Sequence, residues 1–326
     1  MPSAPGGSCP GSTDARDEVV EPSVTGRVAG GDALNALSVD VEDWYHDESR
    51  GSGPATEQEI AAGEPRVERN LERLLEILAP SDTRATFFFL ADVAAKHPRL
   101  TREAARRGHE IACHGLRHLP IWERTPAELR DDVRRARATI EDVIGAAVRG
   151  FRAPCFVRED RDLWLLDVLA EAGFAYDSSW MPLRYYPGAV PGLGNGGGPV
   201  RLPSGLWEFP LPLSRVASGH VLPVAAGGFT LRALPLAVTR HYLRRFNHEV
   251  GPAVVYTHPW EIDPESPKLP GTKGYVRFFN GIGRRSMPRK LAQLARSVRF
   301  APLATVYARE LADTGGPGLT AIGARS

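Results

Sequence analysis

Apolar and polar positions follow two periods along the chain, and the periods take turns. LNALSVDV (34–41) is a short apolar run of strand type, while ERNLERLLEILA (68–79) spaces its leucines as one face of a helix requires. ATFFFL (85–90) has the unbroken apolar pattern of a buried strand. ADVAAKHPRLTREAARRG (91–108) follows as a helix that ends in glycine. HEIACH (109–114) predicts the next strand. Thr125-Pro126 then opens an amphipathic helix through about Ile144, with proline in a first turn where its missing N–H costs nothing. GFRAP (150–154), FAYDSSW (174–180), LWEFPL (206–211) and AVVYTHPW (253–260) predict further strands. RDLWLLDVLAEAG (161–173), LPLAVTRHYLRRFNHE (234–249) and PRKLAQLARSV (288–298) predict helices. Strands alternating with helices at this spacing predict an α/β fold with a parallel sheet, and their number favours a (β/α) barrel over an open sheet.

Three stretches break the rhythm. Residues 1–33 are rich in Gly, Ser, Pro, Asp and Glu and predict a disordered arm, and residues 314–326 predict a flexible tail. MPLRYYPGAVPGLGNGGGPVRLPSG (181–205) is too long and too rich in Gly and Pro for a routine connection, which suggests a loop flanking the site.

The totals narrow the function. A chain of 326 residues with 42% hydrophobic content can bury a full core. Its 40 basic and 39 acidic residues are interspersed and give no electrostatic footprint for nucleic acid or an anionic membrane surface. No apolar run approaches transmembrane length, and the first twenty residues lack the basic start and apolar stretch of a signal peptide. Cys9, Cys113 and Cys155 form no CxxC pair, as expected of reduced thiols in a cytoplasmic protein. Adjacent side chains on a strand point to opposite faces, so Cys113 should pack in the core beside His114.

Barrel chemistry gathers where strands end, and five proposed strand ends carry ionisable groups. They are Asp40-Val41-Glu42-Asp43, His114-Gly-Leu-Arg-His118, Arg152-Ala-Pro154, Asp177-Ser-Ser-Trp180 and His258-Pro-Trp260-Glu261. Two imidazoles and a carboxylate suit Zn²⁺ or another divalent first-row metal, and H-x3-H spacing lets both rings reach one ion. Nine histidines in the chain make that spacing a weak signal alone; its place after a strand adds more. Each residue also has a bland interpretation: a solvated turn for the carboxylates, a surface cation for Arg152, a helix cap for Asp177, and core packing for Trp180 and Trp260. His97, His109, His220, His241 and His248 fall on helices or loops and are taken as structural or solvated.

The order SVDVEDW, HGLRH, RAPCF, DSSW, YTHPW resembles the five motifs of the polysaccharide deacetylases of the NodB-homology type, carbohydrate esterase family 4. Within that family it looks most like the branch associated with exopolysaccharide loci and exosortase systems, which carries a C-terminal extension. LWEFPL, AGGFTLRALP and residues 274–302 extend the likeness over most of the chain. The resemblance implies a distorted, seven-stranded (β/α) barrel over residues 34–265, with an extension over 266–313 packed on it. It implies a hydrolase removing N-acetyl groups from an N-acetylated sugar in a polysaccharide or lipid-linked glycan precursor. One divalent cation would serve, Zn²⁺ first, with Co²⁺, Ni²⁺ or Fe²⁺ acceptable to the same donors. Carried over by motif, Asp40 is the general base, His114 and His118 are metal ligands, Arg152 holds Asp40, and His258 is the general acid. Trp180, with Pro154, Asp177 and Trp260, lines the substrate groove.

This chain also departs from the family pattern. The family's first motif has adjacent aspartates, whereas here Val41 and Glu42 stand between Asp40 and Asp43, so the carboxylate ligand is Asp43 or Glu42. Asp43 is preferred because Glu42 is one atom longer and a bend could return an aspartate to the ligand position. Gly115 and Tyr256 stand where the pattern has Ser or Thr and Leu. Two further functions stay open: a same-fold amidohydrolase or O-deacetylase acting on another amide, ureide or ester, and an inactive glycan-binding protein. The sugar, the acyl group and the oligomeric state are not set by these residues.

Overall fold

The computed structural model describes residues 33–46, 56–58, 60, 64–157, 162–181, 197–267 and 274–313. The arm expected over 1–33 (all but its last residue), the tail over 314–326 and residues 182–196 of the expected loop lie outside these.

Seven strands run parallel in the spatial order β10 (Val254–Thr257), β1 (Asn35–Val41), β2 (Thr86–Phe89), β3 (Glu110–Cys113), β4 (Gly150–Phe151), β5 (Tyr176–Asp177) and β7 (Trp207–Glu208). These are the seven strands that the apolar runs predict. The sheet has nine strands rather than seven: β6 (Val200–Arg201) pairs antiparallel with β7, and β11 (Phe300–Ala301) runs parallel beside the start of β1. The expected distorted (β/α) barrel takes the form of a curled half-barrel, and only the strand count differs among the described residues. Beyond β3 the strands shorten to two residues each, and among the described residues no ladder joins β6 to β10. A separate hairpin joins β8 (Ser214–Arg215) to β9 (Val221–Leu222).

The pleat sorts side chains into two cores. Leu37, Val39 and Val41, with Phe87, Phe89, Ile111, Cys113 and Phe151, face outward into the main core under the helices. Ala36, Phe88, Ala112, Tyr176, Phe209 and Val254 face inward and fill the hollow of the curl. Alternation then assigns the residues above this inner layer. On β1 Ser38, Asp40 and Glu42 follow Ala36, on β3 His114 follows Ala112, and on β10 Tyr256 and His258 follow Val254.

The helices form where periodicity and caps agree. α1 (Val67–Leu78) buries Leu71, Leu74, Leu75 and Leu78. The stretch 91–108 is not one helix: α2 (Ala91–Lys96) and α3 (Pro98–Arg106) are split at His97, whose φ −123° and ψ 54° lie outside the α region that a following proline disfavours. α4 (Pro126–Ile144) begins with a capping box, in which Thr125 Oγ1 accepts from Glu128 N and Glu128 Oε2 accepts from Thr125 N, and ends at Gly145. α5 (Trp164–Glu171), α6 (Gly228–Ala233), α7 (Leu236–Glu249) and α8 (Gly274–Gly281) follow.

α9 (Met287–Ser297) buries Leu291 and Leu294 in the main core. Strand β11 hydrogen-bonds to β1, and Leu303 N donates to Thr86 Oγ1 of β2, so the C-terminal segment is part of the sheet's own structure. Two glycines permit close crossings. Gly227 (φ 109°) lies where a Cβ would sit 2.0 Å from Tyr256 O, and Gly283 (φ 74°) where one would sit 2.2 Å from Arg232 O. Among the described residues no helix is long and apolar enough to cross a membrane.

Candidate metal and catalytic site

Glu42, His114 and His118 converge just past the ends of β1 and β3, each offering a ligand atom within 4.8 Å of the others. His118 Nε2 lies 2.7 Å from Glu42 Oε2. His114 Nδ1 lies 2.8 Å from the carbonyl oxygen of Arg152, which only accepts, so this nitrogen carries the proton and Nε2 keeps its lone pair. Burial pushes the His114 imidazole down to about 4 against the opposing pull of Asp40, so it is neutral, as a ligand must be. Burial would raise the Glu42 carboxyl, but His118 and His258 beside it hold it well below the ordinary carboxylate range. Two imidazoles, with the Nε2 lone pair of His114 available, and one ionised carboxylate make a donor set that fits a divalent cation.

Glu42 rather than Asp43 completes the set. Asp43 Oδ1 accepts from Trp44 N at 2.8 Å, and its Oδ2 accepts from Arg66 N at 2.6 Å and Val67 N at 3.0 Å. These bonds join the end of β1 to the start of α1, and they turn the carboxylate away from the histidines. The expectation that Asp43 is the ligand is corrected on this ground. Sequence carried the needed signal, because an extended chain has a period of two: Asp40 and Glu42 share a face, and Asp43 does not.

Asp40 is buried beside the cluster. Arg152, fully buried, donates from Nη1 to Asp40 Oδ1 and Ser38 Oγ, both at 2.8 Å, and its guanidinium lies 4.3 Å from the centre of the Phe88 ring. The far side of the guanidinium donates from Nε to Ser178 O and from Nη2 to Ser178 Oγ, at 2.9 Å each, tying β5 to β1. Asp40 Oδ2 is left facing His258 Nε2 at 3.9 Å.

His258 is held on three sides. Trp260 stacks on it (5.0 Å between centroids, 13° between planes) and donates from Nε1 to Glu42 Oε1 at 3.0 Å. Glu42 Oε1 is 3.5 Å from His258 Nε2. Behind the ring, Glu261 Oε2 accepts from Thr257 Oγ1 and His258 N and lies 3.4 Å from His258 Nδ1. Burial opposes charge on His258, but Glu42, Glu261 and Asp40 outweigh it and raise the imidazole to about 9. Glu261 is itself fixed by Arg232 Nε at 2.6 Å, and Arg232 Nη1 donates to the carbonyls of Phe279, Asn280 and Ile282.

The expected groove residues are placed differently. Trp180, expected as a wall of the groove, is buried in the main core and drawn in by its bridge to Val157. Asp177 is fully buried and accepts from Ser179 Oγ at 2.6 Å and from Ser179 N, so it braces the turn after β5 instead of meeting a ligand. Trp260 is at the site, where its ring and N–H position His258 and Glu42. Pro154 is half-buried, with Cγ 3.5 Å from where a Cβ on Gly115 would sit.

Glu261, Arg232 and His46 carry no role in the sequence reading. The His46 ring stacks on His118 at 5.7 Å, and its Nδ1 accepts from Asp43 N at 2.9 Å. Glu261 had a signal, a carboxylate three residues beyond the strand-end histidine; Arg232 had none. Cys113 is fully buried on the outward face, as adjacency to His114 requires, and Cys113 and Cys155 are free thiols.

Residues 62–176 match the family model "Polysaccharide deacetylase", and residues 178–308 match "Domain of unknown function (DUF3473)". A chitooligosaccharide deacetylase from Bradyrhizobium sp. (strain ANU 289) is 31% identical over 102 residues, which is 31% of this chain and 44% of that protein. The chain spans less than half the length of the curated relatives it matches. A crystal structure of a presumed polysaccharide deacetylase from Mycobacterium smegmatis shares the fold with a TM-score of 0.61 and 21% identity, covering 92% of this chain and 98% of that one. The structure of Puue allantoinase shares it with a TM-score of 0.56 and 15% identity, covering 86% and 90%.

The candidate site draws on both matched regions, His114, His118 and Arg152 from one and His258 and Trp260 from the other, with Asp40 and Glu42 preceding both. The chain joins a polysaccharide deacetylase domain to a DUF3473 domain, and one sheet runs through the two.

Proposed function

We propose that the chain is a metal-dependent hydrolase that removes N-acetyl groups from an N-acetylated sugar in a polysaccharide or lipid-linked glycan. The observation that carries this is the convergence of a Glu42–His114–His118 donor set with an Arg152-held Asp40 and a Glu261-held His258 at one end of the sheet. Glu42, His114 and His118 would hold the cation, with Zn²⁺, Co²⁺, Ni²⁺ and Fe²⁺ all acceptable to these donors. When bound, the ion supplies Lewis-acid polarisation of the acyl carbonyl and lowers the pKa of an attacking water.

The chain's own groups then divide the proton work. Arg152 engages Asp40 Oδ1 and leaves Oδ2 to take the proton of the attacking water. As the C–N bond breaks, the amine needs a proton, and His258, with Glu261 at Nδ1 and Asp40 near Nε2, is placed to give one from Nε2. Glu261 at Nδ1 keeps the ring turned so that Nε2 faces Asp40 and Glu42. Buried free thiols at Cys113 and Cys155 are in keeping with work in the reducing cytoplasm.

The test is acetate release from N-acetylglucosamine oligomers, with bound metal measured in the same samples. Metal retained and activity lost in Asp40→Asn, and both lost in His114→Ala, is the expected pattern. Full activity in Asp40→Asn would refute the assignment of the base. Metal retained without acetate release by the parent would move the substrate to another amide, ureide or ester.

A further inference from the structure

The balanced total charge hides a segment that is not balanced. Between Glu265 and Glu310 the sequence holds ten lysines and arginines and no aspartate or glutamate. The same segment carries two strongly exposed aromatic side chains, one of them the most exposed large hydrophobic side chain of the described residues. Phe278 is 64% exposed and Phe279 47%, and both lie near the end of α8. Phe229 of α6, 39% exposed, meets Phe279 edge-to-face at 5.4 Å, and Phe278 meets Phe279 at 5.7 Å. Three clustered, outward-facing phenylalanines are costly to leave in water and mark an interaction surface. Arg285 and Arg289, a few residues downstream, are exposed as well.

We infer that this face docks on an anionic lipid surface, with the phenylalanines entering the headgroup boundary and the arginines pairing with lipid phosphates. Aromatic side chains flanked by exposed arginines match an interface in which apolar depth and negative charge lie a few ångströms apart. The patch is also wired to the site. Arg232 Nη1 holds the carbonyls of Phe279, Asn280 and Ile282, while its Nε holds Glu261 behind His258. The Arg284 guanidinium lies 4.9 Å from the centre of the Trp260 ring. A surface bound here would be linked to His258 through two side chains, Arg232 and Glu261.

Vesicle co-sedimentation of the purified full chain tests this without reference to turnover. The lipids are pure phosphatidylcholine, and phosphatidylcholine with about a third phosphatidylglycerol. Binding is expected to the anionic vesicles only, and to weaken as salt rises. Phe278→Ser/Phe279→Ser should lower it more than tenfold. Arg285→Glu/Arg289→Glu should do at least as much, since each arginine near such a surface is worth about a fivefold factor. Circular dichroism and melting of both variants against the parent verify the fold. No binding by the parent, equal binding to neutral vesicles, or binding untouched by either double variant would overturn the inference. So would a concentration-dependent dimer abolished by Phe278→Ser/Phe279→Ser, since a second copy would then be the occupant.

Discussion

Truncating Asp43 and truncating Glu42, neighbours in the chain, should have separable effects. Asp43→Ala removes an acceptor from three backbone N–H groups, those of Trp44, Arg66 and Val67, at 2.6–3.0 Å. A buried donor left without a partner costs about 1–3 kcal/mol. Water will reach some of the three, so the sum is taken near the low end, about 4 kcal/mol. An unfolding entropy of about 2.1 cal/mol/K per residue gives about 1.5 °C per kcal/mol for a chain of 326 residues, so the melting temperature should fall by roughly 6 °C. The three metal donors are untouched, so folded Asp43→Ala should hold metal as the parent does. Glu42→Ala removes a ligand, the partner of His118 Nε2 and the acceptor of Trp260 Nε1. It also removes a buried charge whose desolvation opposes folding, so its melting temperature should move by only a few degrees. Its metal affinity should drop at least tenfold. Metal content after equilibration with Zn²⁺, read beside a melting curve, separates the two. Asp43→Ala melting with the parent, or losing metal while folded, would refute the division of labour, and so would Glu42→Ala binding metal at parent affinity.

Arg232→Met should destabilise by about 3–5 kcal/mol, because it strands the buried Glu261 carboxylate. Adding Glu261→Gln should recover part of that, and a parent-like denaturant midpoint for the single variant would contradict the burial argument. His109 has its imidazole lowered to about 4, by burial first and then by Arg107 and Arg84. The unfolded chain therefore protonates first as pH falls from about 6.5 to 4, and about 3 kcal/mol of stability should be lost across that window. Denaturant titrations at several pH values in the parent and His109→Gln would show it, with the variant lacking that component. Gly283→Ala should cost at least about 2 kcal/mol, from a left-handed backbone and a Cβ driven at the Arg232 carbonyl. An unchanged melting temperature would show that the crossing has room to spare.

The parallel strands were legible because burial on both faces makes their sequences nearly continuous apolar runs, as in ATFFFL. β6, β8, β9 and β11 were not, since a two-residue strand leaves no period to detect. The split at His97 was legible in principle, because Pro98 was on the page and its effect on the preceding residue is steric. At the site, motif order pointed to Asp40, His114, His118, Arg152 and His258, and the structure brings these together. Side-chain length favours Asp43 as the ligand, whereas strand alternation puts Glu42 on the face of Asp40. Asp177 at the end of β5 and Trp180 beyond it are buried, and a residue type common in grooves says nothing of which way the turn after β5 faces. Arg232 meets Glu261 across 29 residues, a proximity that only tertiary packing creates.

Strand β1 is made early and completed late. One edge pairs with β2, about 48 residues downstream, while the other waits for β10, where Ala36 meets Val254. On the ribosome, a strand of seven mostly apolar residues must keep one row of backbone donors and acceptors unanswered until some two hundred further residues have emerged. That is the geometry from which intermolecular strand pairing starts. Yield in a cell should therefore depend on the pace of synthesis and on chaperones that shelter a nascent edge. Conditions that slow translation without adding holdase capacity should send this protein into inclusion bodies before they touch its equilibrium stability.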